Sequence, residues 1–234
     1  MKGTLLNAGT VAGGAVIGLA LGQAIPAGAQ NVVMNGLGLA TMAIGAKMAL
    51  ESRNVLILAA SIALGGLIGV LLGIQPGLEA FANWAQQVTG GGGRFAEAIL
   101  TTSILYCVGP MTLLGCIQDG MEGKSDLLAL KSTLDGIGAV FFAATLGPGV
   151  LVTALVILVF QGILTALARP LSPLAKDADL LAEMTAAGGL MMLAIGLGLA
   201  DVAKFSAAPY LPALFVAPGM VVLARRLSKR RDSG

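Results

Sequence analysis

A few polar residues stand in stretches too apolar to solvate them, and these are where chemistry can take place. Asn7 ends Gly3-Thr4-Leu5-Leu6-Asn7, Gln118 and Asp119 follow Cys107-Val108-Gly109-Pro110-Met111, and Ser132 and Asp135 lie in Lys131-Ser132-Thr133-Leu134-Asp135-Gly136. A carboxylate at membrane depth costs about 2.5–3.5 kcal/mol on insertion scales, so it faces a partner or a hydrated cavity. Gly109-Pro110 adds a second kind of polar group. Proline has no N–H and its ring clashes with the carbonyl four residues back, so a helix kinks or breaks there. In lipid the freed carbonyls survive only where helices, side chains or a water-lined cavity satisfy them. Carbonyls at Gly109 and Pro110, the Asn7 and Gln118 amides, the Ser132 hydroxyl and the Asp119 and Asp135 carboxylates form a candidate pathway for a small ion or polar solute. Each has a blander alternative: the proline only shapes a bundle, Asn7 bonds a neighbouring helix, and Lys131 pairs with Asp135 four residues on.

No catalytic set accompanies them. The chain has no His, no metal-ligand spacing, no phosphate loop and no Ser–Lys pair at depth, so neither an enzyme, a metal nor a cofactor is expected. Cys107 and Cys116 read as buried small residues, not as a disulfide framework. Glu97, Glu183 and Asp201 fall near the ends of apolar segments. The basic tail from Arg225 to Arg231 reads as a membrane anchor, and no nucleic-acid partner is expected.

The elements that must hold these residues follow from composition. Of 234 residues, 56% are apolar and 11% charged, with mean hydropathy +0.90; soluble domains carry roughly 25% charge. The chain is therefore an all-α membrane protein, one polytopic domain over residues 1–234 with the lipid bilayer as its partner. At about 20 apolar residues per crossing, eight spans emerge, near 3–22, 31–50, 54–74, 95–118, 132–147, 148–168, 181–200 and 208–226. The fifth is short, and 132–168 also reads as one long bent helix. Residues 78–88 form an amphipathic segment lying in the interface, 119–131 a charged loop, and 169–179 a proline-containing loop. Pro148, Pro212 and Pro218 mark further breaks. The Met1 end reads as a retained helix, not a removed signal.

Charge placement supports eight spans with both termini cytoplasmic, in a cytoplasmic (inner) membrane. Twelve Lys and Arg then lie inside (Lys2, Lys47, Arg53, Lys124, Lys131, Arg169, Lys176, Arg225, Arg226, Lys229, Arg230, Arg231) and only Arg94 and Lys204 outside, the bias of the positive-inside rule. Glycines at spacings near four, as in Gly9, Gly13, Gly14, Gly18 and Gly22, permit close helix packing and a homodimer.

A weak internal repeat lays Ala43-Ile44-Gly45 on Ala194-Ile195-Gly196, pairing Gly38 with Gly189 and Ala49 with Ala200. A different offset lays Asn7 on Thr153. Since spans two and seven cross in opposite directions, this would be an inverted repeat of spans 1–3 and 6–8, a common transporter architecture.

The same motifs, with Gln118-Asp119-Gly120 and Leu211-Pro212-Ala213-Leu214, make the whole chain resemble the prokaryotic domain-of-unknown-function 554 family. The resemblance implies a multi-span inner-membrane protein and a candidate transporter, with no established substrate or site. Together these readings lead to the expectation of a transporter or channel for a small ion or polar solute. The rival is a non-transporting structural or regulatory membrane protein.

Overall fold

The computed structural model describes residues 1–203 and 205–232, so Lys204 and the side chains of Lys229, Arg230 and Arg231 lie outside the described residues. The described chain is helical throughout: α1 (Lys2–Gly22), α2 (Ala27–Ala49), α3 (Val55–Leu71), α4 (Ile74–Thr89), α5 (Phe95–Cys107), α6 (Pro110–Glu122), α7 (Asp126–Leu146), α8 (Gly149–Ala166), α9 (Ala168–Lys176), α10 (Ala178–Leu199), a 3₁₀ turn η1 (Ala208–Tyr210) and α11 (Ala213–Asp232). Six helices are long and apolar enough to cross a bilayer. Two bent pairs, α3–α4 at 57° and α5–α6 at 63°, raise the number to eight if each pair is one span.

Five sequence expectations change. The charged loop shrinks to Gly123–Ser125, because α6 runs on to Glu122 and α7 begins at Asp126. The fifth span is thus 21 residues long and not short, since Leu127, Leu128 and Leu130 extend its apolar stretch. Gly147, at φ 90°, separates α7 from α8 and excludes one bent helix. Part of the loop at 169–179 is the short helix α9, and Pro218 lies inside a continuous α11 without breaking it.

Two helix starts are set by an amide and a carboxyl group. The Asn54 side chain accepts from Leu56 and Ile57 N–H, and Asp177 accepts from Asp179 and Leu180 N–H, capping α3 and α10. Glu183 on α10 accepts from Ser52 Oγ and from the N–H of Arg53 and Asn54, tying the α2–α3 connection to α10.

In lipid the helices have no hydrophobic drive to associate, so small residues decide which pairs approach. Gly14, Gly18 and Gly22 of α1 lie against the carbonyls of Gly136, Val140 and Ala144 of α7, so these two helices run parallel. Gly38 and Gly45 of α2 face Gly196 and Gly189 of α10, so those two run antiparallel. Gly65 and Gly69 of α3 face Ala213 and Pro209. Leu5, Val16, Leu56, Leu71, Leu155 and Phe215 point outward, where lipid would meet them. These directions put both ends of the described chain at one end of the bundle. Nine described basic residues lie there, from Lys2 to Arg226, against Arg94 at the other end.

Candidate functional site

α5 ends at Cys107, Val108 is extended, and Gly109 adopts φ 142° before Pro110 opens α6. An L side chain rarely takes that φ, so glycine is required at the hinge. Proline at the first helical position costs nothing, because its missing N–H would have been unpaired there anyway. The sequence anticipated a kink or a break; what forms is the break, with two half-helices meeting there. One freed carbonyl, Tyr106 O, accepts from Thr112 Oγ1 at 3.2 Å. No side chain caps the start of α6. The break sits between the two closest helix pairs: a Cβ built on Gly188 of α10 would meet Val108 Cγ1 at 2.8 Å and Met48 Cε of α2 at 3.6 Å.

On the α1–α7 side of the break the chain gathers a polar cluster. Asn7 Nδ2 donates to Asp135 Oδ2 at 3.1 Å, and Lys131 Nζ donates to the same oxygen. The Lys131 and Asp135 side chains are 8% and 10% exposed, and Asn7 is fully buried. Lys131 Nζ also lies 5.8 Å from the centre of the Tyr106 ring, one residue from the end of α5. Asp135 is nine residues into α7, about 13 Å along its axis, deeper than a helix starting at residue 132 implied. Both readings of the Lys131 spacing meet here: the pair forms, and it forms at depth next to the break.

Several atoms around this cluster have no partner among the described residues. Asn7 Oδ1, the Tyr106 hydroxyl and both amide atoms of Gln161 are buried without a hydrogen bond. Thr4 Oγ1 lies 3.2 Å from Thr165 Oγ1 between antiparallel α1 and α8, so Gln161, one turn before Thr165, stands at the level of Asn7. A buried polar atom left unpaired costs roughly 1–3 kcal/mol. Such atoms need an explanation, and a solute or water in contact with them is one.

The other sequence candidates go elsewhere. Asp119 is buried and accepts from Gly3 N–H at 3.1 Å, with the Met1 amino group 3.0 Å away, so its charge sits at the positive end of the α1 dipole. Gln118 is half-buried beside it and makes no side-chain hydrogen bond among the described residues. Ser132 Oγ donates to Leu128 O of its own helix at 2.6 Å. Of the seven candidates, Asn7 and Asp135 join, with the Gly109-Pro110 hinge beside them. Among the described residues, no three His, Cys, Asp or Glu side chains converge as a metal site.

Sequence reasoning missed Gln161 as a member of this neighbourhood. It also missed a cavity of about 1210 Å³ at the opposite end of the bundle, between α2, α4, α5, α10 and η1. The amphipathic pattern of α4 was its only trace: Ala82 and Ala85 are buried, while Glu79 and Asn83 face the cavity.

Comparison with known proteins places this architecture. A family described as "Protein of unknown function (DUF554)" matches residues 2–222, and the chain belongs to that family. It is similar to the "Uncharacterized membrane protein YdfK" of Bacillus subtilis (strain 168), 27% identical over 234 residues that cover 98% of this chain and 100% of the relative. It is also similar to the "Uncharacterized protein YqgA" of Escherichia coli (strain K12), 29% identical over 92% of this chain and 94% of that protein. No solved structure gives a significant match.

Proposed function

We propose that this member of the family is a transporter or channel for a small ion or polar solute, with its site at the α5–α6 break. The observation that carries this reading is the company kept by Asp135. A buried ion pair, with an amide Oδ1 and a tyrosine hydroxyl that have no partner among the described residues, lies beside a helix broken at depth. Half-helices meeting at a polar cluster are a recurring arrangement in transporters.

An inverted repeat of spans 1–3 and 6–8 belongs to the same proposal. The sequence alignment pairs Gly38 with Gly189, Gly45 with Gly196 and Ala49 with Ala200. In the α2–α10 packing, Gly38 meets Gly196 and Ala200 while Gly189 meets Gly45 and Ala49. Exchanging the aligned partners turns each contact into another, as a two-fold axis in the membrane plane would. Rocking about such an axis is one physical route to alternating access. The excess of basic residues at the end holding both termini supports a cytoplasmic placement of that end in the inner membrane.

A second reading has its own support. Asp119 and Glu183 are both used to fasten helix starts, which is what a non-transporting, structural membrane protein would show. Reconstitution in liposomes separates the two. Flux of potassium, protons or a small polar solute that Asp135→Asn abolishes, with the protein still monodisperse and helical, favours transport. Flux of none of these, or flux indifferent to Asp135→Asn, favours the structural reading.

A further inference from the structure

The cavity at the opposite end has the build of an entrance. Its wall carries Asn31 and Asn35 from α2, Asn83 from α4 and Thr101 from α5, an unusual density of amides and hydroxyl for a bundle this apolar. The buried part of its lining is the reverse. Met34, Ile104, Ile195 and Leu199 contribute to it from three helices, and each is between 4% and 7% exposed. Below Ile104 on the same helix stands Val108, at the break. One turn of α5, about 6 Å of axis, therefore separates Ile104 in the cavity lining from the half-helix junction.

We infer that this cavity is the outward vestibule of the pathway, closed in this conformation by the apolar side chains of Met34, Ile104, Ile195 and Leu199, and that it admits small hydrophilic cations in preference to anions. The charge preference comes from the ionisable groups on the wall. Arg94 is held by Glu97 through two hydrogen bonds, at 2.7 and 2.5 Å. Among the described residues Glu79 receives only the Gln75 amide, at 2.7 Å, and Asp201 makes no salt bridge, though it shares the field of Arg94, so one cation faces three carboxylates on the wall. A cleft with low-dielectric walls focuses the field of such carboxylates and raises the local concentration of cations. The destination of this entrance rests on the transport reading above, but its geometry does not.

Two measurements on full-length protein in liposomes test it. In a Cys107→Ala, Cys116→Ala background, Thr101→Cys is treated with membrane-impermeant thiol reagents of opposite charge, applied to one face at a time. Lys124→Cys, in the loop at the other end, reports the opposite face. Thr101→Cys is expected to react only from the face opposite Lys124→Cys. The cationic reagent should gain about tenfold over the anionic one, relative to their ratio at a small free thiol, and Glu79→Gln with Asp201→Asn should remove the gain. No reaction at Thr101→Cys, reaction from the same face as Lys124→Cys, or no charge preference overturns the inference.

The second measurement is potassium leak. Ile104→Ala should raise it at least tenfold, with potassium favoured over chloride, and a bulky reagent on Thr101→Cys should then block it. If Ile104→Ala fails to fold, Leu199→Ala thins the same closure. An unchanged leak in a folded variant overturns the closure. Because the leak and the labelling do not need Asp135, they can fail while Asp135-dependent flux survives, and the reverse.

Discussion

Lys131 and Asp135 allow stability and function to be pulled apart. Lys131→Met leaves the Asp135 carboxylate about nine-tenths buried with only the Asn7 amide to answer it. Removing one partner of a buried pair costs about 3–5 kcal/mol, whereas replacing both charges by neutral groups of similar volume is often close to neutral. For a chain of this size 1 kcal/mol moves Tm by about 2–4 °C, so Lys131→Met should melt about 6–20 °C below the parent in detergent. Asp135→Asn strands the lysine instead and should lose a comparable amount. In the double variant both charges are gone and Asn7 still has an oxygen to bond, so most of the loss should return, which makes the coupling at least as large as either single loss, about 3–5 kcal/mol. Thermal unfolding followed by circular dichroism reads all four proteins. If the pathway reading is right, the double variant recovers its Tm but not its flux. A Lys131→Met protein melting within about 3 °C of the parent, or a double variant at the sum of the singles, would refute the view that this pair is a desolvated, mutually dependent unit.

Two further outcomes follow from other parts of the fold. Gly18→Ala should destabilise by about 1–3 kcal/mol through overpacking, because an added Cβ would stand 2.1 Å from Val140 O. Gly13→Ala has nothing within 4 Å of the new methyl and should be neutral or gain up to about 1 kcal/mol from helix propensity; equal melting of the two variants would contradict the α1–α7 register. At the end of the bundle that holds both termini, the Arg225 side chain, with the N–H groups of Leu180 and Asp179, holds the Asp177 carboxyl down at about 2. A group lowered on folding stabilises above its unfolded value, near 3.9, and that contribution is lost as pH falls through the folded value. Tm should therefore fall between about pH 4 and pH 2 in the parent and less steeply in Asp177→Asn, which keeps a capping side chain; parallel profiles would show that Asp177 contributes nothing there.

How much of this was legible beforehand depended on how local the cause was. The two half-helices could be read from Gly109-Pro110, because the missing N–H and the ring clash act within one turn. The Lys131–Asp135 pair was readable from its spacing. The short fifth span was misjudged because Asp126, Lys124 and Glu122 looked like loop, while the apolar stretch at 127–130 continues α7 outward past them. Asp119 could not be told from Asp135 by sequence: both are acids beside an apolar segment, and only the docking of α1 sends one to the Gly3 N–H and the other to Asn7.

Class, the approximate number of crossings, the site of the broken helix and the uneven distribution of basic residues were all readable along the chain. Those follow from the cost of unpaired backbone and unsolvated charge in lipid, which every segment meets alone. The tertiary structure decided which glycine faces meet, which polar groups share a neighbourhood, and that a wide cavity opens over Ile104. Helix pairing in this chain rests on close contacts between small residues far apart in sequence. With 34 glycines available, many pairings satisfy the same local pattern, and only the packed bundle selects among them.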